Sequence, residues 1–72
     1  MKFLNKEQIE EICYGNHAIW EGYKVFKNQV KFKVSIIDLY CVCHFMSGEI
    51  EVYVKYYLYN SNKVKLFKYV IE

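Results

Sequence analysis

Apolar residues recur along this 72-residue chain with two periods, one near its start and another over most of the remainder. Ile9, Ile12 and Cys13 fall at i, i+3 and i+4 while Glu7, Glu10 and Glu11 take the other side, the spacing of a helix with one apolar stripe. Three signals mark its start. Asn5 stands as N-cap, Gln8 completes a capping-box pair, and Leu4 is placed to staple onto Ile9. Gly15 supplies the C-terminal stop. The pattern predicts a helix over residues 6–14, too short to persist alone in water and therefore packed on something.

After Gly22 the period falls to 2, which predicts strands. Residues 23–27 read as a first short strand, with Asn28-Gln29 as its turn. Val30, Phe32, Val34 and Ile36 then alternate with Lys31, Lys33 and Ser35, and a tight turn at Ile37-Asp38 would lead into a strand from Leu39. Isoleucine is poor turn chemistry, so one long bent strand is the alternative. A two-residue loop at Ser47-Gly48 pairs Phe45 with Ile50, Cys43 with Val52, Cys41 with Val54 and Leu39 with Tyr56 on one apolar face. A three-residue loop at 60–62, with Asn62 in the left-handed conformation, sets Leu58 opposite Val64 and Tyr56 opposite Leu66. Beyond Leu66 the parity conflicts, because Lys68 would point inward while Phe67, Tyr69 and Ile71 point out. Either a bulge resets the strand or its outer face is apolar. The expected fold class is α+β: one short N-terminal helix on one face of a four- to five-stranded antiparallel meander, a single domain over residues 1–72 with its sheet over about 23–71.

Composition narrows what such a domain does. With 54% hydrophobic and 25% charged residues the chain reads as one soluble domain. A domain of this size buries only about 60% of its unfolded surface and is stable by roughly 4 to 8 kcal/mol. A pocket enclosing a substrate would rival its core in volume, so an enzyme is disfavoured. No apolar run is long enough to span a membrane and no signal-peptide core follows Met1, so a cytoplasmic protein is expected. The three cysteines are an odd number without the spacing of a secreted scaffold, so they are read as reduced thiols.

The candidate chemistry is thin. Cys41-x-Cys43-His44, with Cys13 and His17 elsewhere, has the residue types of a zinc site, but His44 points to the opposite strand face from the two cysteines. Cys13 and His17 are at i and i+4, with Gly15 breaking the helix between them. No metal, cofactor or catalytic set is expected.

Surface chemistry is richer. The proposed registers gather Tyr40, Tyr53, Lys55, Tyr57, Tyr59, Lys65, Phe67 and Tyr69 on the face turned away from the helix, an aromatic patch suited to capturing a protein partner. Residues 1–22 carry a net charge of −2 and residues 23–72 a net of +4. Lysine interleaved with tyrosine is also how single-stranded nucleic acid is held. Lys31, Lys33, Lys55, Lys65, Tyr53 and Tyr57 form that alternative set. The absence of arginine argues against sequence-specific DNA reading. An open edge over residues 63–71 would support a homodimer. Abundant Lys, Asn, Ile and Tyr with no Arg or Pro is what an AT-rich coding sequence writes. In this usage, in size and in lack of catalytic motifs the chain resembles the small inhibitor proteins of phages and mobile elements, the anti-CRISPR-like class. That resemblance implies a protein that blocks a host defence complex. The class shares no common fold, so no functional residue is carried over.

Overall fold

The structure, a computed structural model, describes residues 3–72. Helix α1 spans Lys6–Gly15, with the expected capping box: Gln8 N–H donates to Asn5 Oδ1 and Asn5 N–H donates to Gln8 Oε1, each at 2.9 Å. A second helix, α2, follows at once over His17–Gln29. Asn16 makes the joint. Its backbone N–H donates to Cys13 O at 3.3 Å, its Oδ1 accepts from Ala18 and Ile19 at 3.0 and 3.2 Å, and its Nδ2 donates to Cys41 Sγ at 3.4 Å.

Helix α2 overturns the expected strand at residues 23–27. Ile19, Tyr23, Phe26 and Val30 are four, three and four residues apart, a helical stripe that the locally strand-forming run Tyr23-Lys24-Val25-Phe26 conceals. Gly22 has the look of a helix breaker, but tertiary packing needs it. A Cβ there would lie 2.5 Å from Val52 Cγ1 and 2.6 Å from Val52 Cβ, so glycine lets α2 rest directly on the sheet.

Among the described residues the sheet has three antiparallel strands, not four or five, in the order β1 (Val34–Cys43), β2 (Ile50–Leu58) and β3 (Val64–Ile71). The expected turn at Ile37-Asp38 is absent. β1 runs through it as one bent strand with a register shift between Ile36 and Asp38, so that one extra residue bends the strand without ending it. Residues 30–33 lie outside the strand, and Phe32, expected in the core, is exposed.

The first hairpin pairs Cys43 with Ile50, Cys41 with Val52 and Leu39 with Val54, two residues from the expected register. A shift of two preserves the faces. It arises because Gly48, at φ 76°, closes a four-residue tip, with Gly48 N–H donating to His44 O and His44 N–H to Glu49 O, each at 2.9 Å. Phe45, expected opposite Ile50 in the core, is therefore carried out on the tip.

In the second hairpin Tyr56 faces Lys65 and Val54 faces Phe67, one residue from the expected register, which turns β3 over completely. The left-handed residue is Asn60, at φ 64°, in place of Asn62. Turning β3 over brings Phe67, Tyr69 and Ile71 to the helix side and releases Lys68 to the outside, which resolves the parity conflict in favour of the larger apolar set.

The core is Cys13, Ile19, Phe26, Ile36, Leu39, Val52, Val54 and Tyr56. Phe26 is its centre, with ring centroids 5.1 Å from Tyr56 and 5.3 Å from Phe67 in edge-to-face contact. Among the described residues, no helix is long and apolar enough to cross a membrane.

Candidate functional site

Both helices pack on the same side of the sheet, so alternate residues of every strand face away from them. Of the predicted site residues, Tyr40, Tyr53, Lys55 and Tyr57 occupy this outer face, and Lys33 and Tyr59 continue its register through the bond from Tyr59 N–H to Lys33 O at 2.9 Å. Lys65, Phe67 and Tyr69 do not. The reversed parity of β3 sets all three on the helix side, where Phe67 is packed against Phe26. In their place Val64, Leu66, Lys68 and Val70 face outward. Lys31 lies in the connection between α2 and β1. The signal for this exchange is legible in hindsight: only one parity of β3 buries Phe67, Tyr69 and Ile71 together.

The outer face differs along its length. Toward the β1–β2 hairpin it is organised by Glu51, whose Oε1 accepts from His44 Nε2 at 2.7 Å and from the Tyr53 hydroxyl at 3.1 Å, while Oε2 meets Lys68 Nζ at 2.9 Å. The bond from His44, then that from Lys68, hold the Glu51 carboxyl down at about 2 against a usual 4.5. The same carboxylate raises Lys68, and desolvation with Glu51 beside it raises Tyr53. Tyr40 stacks on Tyr53 with centroids 5.2 Å apart. Beyond this network the tip projects Phe45 and Met46, which are 102% and 101% exposed.

At the other end, around the β2–β3 connection, the character changes. Phe3, Tyr57 and Tyr59 line a shallow cleft of about 380 Å³ floored by residues 60–62. Phe3 meets Tyr57 edge-on at 6.1 Å, and Lys33 Nζ stands 5.0 Å from the Tyr59 ring centroid. Phe3 could not be foreseen here, because its place depends on Leu4 N–H donating to Ile36 O at 2.8 Å along the β1 edge.

On the helix side a larger cleft of about 590 Å³ runs between α1, α2 and β1, with Leu4, Ile9, Cys13, Trp20, Tyr23 and Ile36 on its walls. Burial pushes the Cys13 thiol above its usual value, which disfavours a thiolate. His17 is turned outward to Glu21 at 3.4 Å. Cys41 and Cys43 occupy the helix-side positions of β1, with Cys43 exposed near the hairpin, while His44 engages Glu51 on the outer face. Among the described residues no group of three or more His, Cys, Asp and Glu side chains is placed to hold a metal ion.

No protein-family model, curated protein or solved structure matches the chain.

Proposed function

We propose that this chain is a non-enzymatic docking module that captures another protein with the hairpin end of its uncovered sheet face. The observation that carries this reading is the pair Phe45 and Met46, two large apolar side chains held fully in water at a tip closed by Gly48. Folding gains nothing from their exposure. A partner with an apolar recess would gain their burial, about 1.5 to 3 kcal/mol for each side chain. Val42 and Val70 extend the apolar contact along the sheet, and the Tyr40–Tyr53 stack supplies rigid area with hydroxyls at its rim. The Glu51 network fixes Tyr53 and Lys68 before any partner arrives, which lowers the ordering cost of binding.

A phage-type inhibitor acting in the cytoplasm on a host defence complex would use such a surface by occlusion. Its size and composition support that form of the reading. The outer edge of β3 is unpaired among the described residues, so self-association by strand addition is a competing use of the same protein.

The test is capture from a native-host lysate by the wild-type chain, Phe45→Ala and Val42→Lys, with thermal melts alongside. The expected result is a discrete captured protein lost with both variants while melting temperatures stay within a few degrees. Capture indifferent to both substitutions, or a chain that light scattering finds dimeric and that captures only itself, would refute the reading.

A further inference from the structure

We infer that the opposite end of the outer face is a binding site for single-stranded nucleic acid, separate from the protein-docking end. The molecule is 40 Å along its longest axis, and this site lies at the β2–β3 connection while the Phe45–Met46 tip lies at the β1–β2 connection, so the two ends are free to act independently.

Charge singles out this end. No Asp or Glu occurs between Gly22 and Ile37 or between Val52 and Ile71, and those two stretches meet where Tyr59 N–H donates to Lys33 O. Lys31 and Lys33 come from one stretch and Lys63 from the other, and none of the three takes part in a salt bridge among the described residues. At the hairpin end, by contrast, Glu51 already engages Lys68 and would repel a phosphate. A phosphate at this end meets lysines without a carboxylate partner among the described residues, whereas Lys68 at the hairpin end is already paired.

Aromatic chemistry supplies the second requirement. Tyr59 is 65% exposed and Phe32 75% exposed, and Phe3 and Tyr57 stand on the cleft beside Tyr59. Exposed rings bordered by lysines are what unpaired bases stack on, whereas a duplex hides its base faces. Asn60, Ser61 and Asn62 line the same cleft, and residues of these types offer both donors and acceptors to a base edge. The cation over Tyr59 marks the ring as a π-face already used electrostatically. Lysine without arginine gives point charges and no guanine fork, so binding should tolerate any sequence.

Fluorescence anisotropy with a labelled oligodeoxythymidylate of about ten nucleotides tests the site; neutralising three phosphates predicts roughly 20-fold weaker binding at 200 mM than at 50 mM salt. Tyr59→Ala should weaken binding about 10-fold, while Tyr59→Phe, which keeps the stacking face, should not. Lys33→Ala with Lys63→Ala should lower the salt slope by about 1.4. Val42→Ala, at the other end, should change nothing. Absence of binding at low salt, binding indifferent to the Tyr59 and lysine substitutions, or capture by anionic phosphatidylserine vesicles without affinity for the oligonucleotide would each overturn the inference. None of these outcomes bears on capture through Phe45, so the two readings fail separately.

Discussion

Strand β2 faces two environments on alternate residues. Val52, Val54 and Tyr56 are buried beneath α2, and alternating with them Glu51, Tyr53, Lys55 and Tyr57 face outward, where among the described residues no second layer of helix or sheet covers them. On the covered side the helix comes so close that a glycine is needed at the crossing, and aromatic rings interlock around Phe26. The uncovered side does not collapse into a second core. Its hairpin half is held by one carboxylate with three partners, and its other half leaves rings and lysines open. One face thus carries the stability of a 72-residue chain, which leaves the other free to carry recognition.

The contrast breaks most readily at its closest approach. Gly22→Ala gains a little helix propensity but drives a methyl group into Val52, so a net loss of about 2–3 kcal/mol is expected by chemical denaturation. A variant as stable as wild type would mean that α2 does not lie on the sheet at Gly22. Adjacent residues of β3 give a sharper comparison. Phe67→Ala should cost about 3 kcal/mol by opening the packing under Phe26, whereas Leu66→Ala, on a side chain 54% exposed, should cost less than about 1 kcal/mol. Equal costs, or the reverse order, would turn β3 over again.

The smallest expected effect concerns the Glu51 network. The folded carboxyl titrates at about 2 against 4.5 ordinarily, so its contribution is fully present above pH 4.5 and is lost as pH falls toward 2. Lys68 is shifted upward, so the ammonium partner is lost only as pH rises through that raised value. Denaturation curves of wild type and Glu51→Gln should therefore differ at pH 6 and converge at low pH, by an amount kept small because the partners His44 and Lys68 are about half exposed to solvent. A difference independent of pH would show that the carboxylate is not what organises that surface.

Several parts of this architecture were legible in residue order. The capping box of α1, the outward placement of Tyr40, Tyr53, Lys55 and Tyr57, and the antiparallel meander all rest on local spacing and periodicity. By contrast, α1 ends on Asn16 as an extended C-cap, with Gly15, the expected stop, as its last helical residue. Helix α2 is hidden because its strand-forming residues satisfy a period of 2 over short windows, while the stripe from Ile19 to Val30 shows only over twelve residues. The faces of Phe67 and Tyr69 are not legible from local spacing, because a one-residue difference in loop length inverts a whole strand.

Local chemistry, then, determined where α1 begins, that the chain turns back on itself in antiparallel strands, and which residues of β1 and β2 share a side, since each follows from contacts within a few positions. Tertiary structure alone decided that Gly22 is a contact point, that β3 presents Phe67 inward, and that Phe3 reaches Tyr57. Each depends on what elements distant in the chain leave room for.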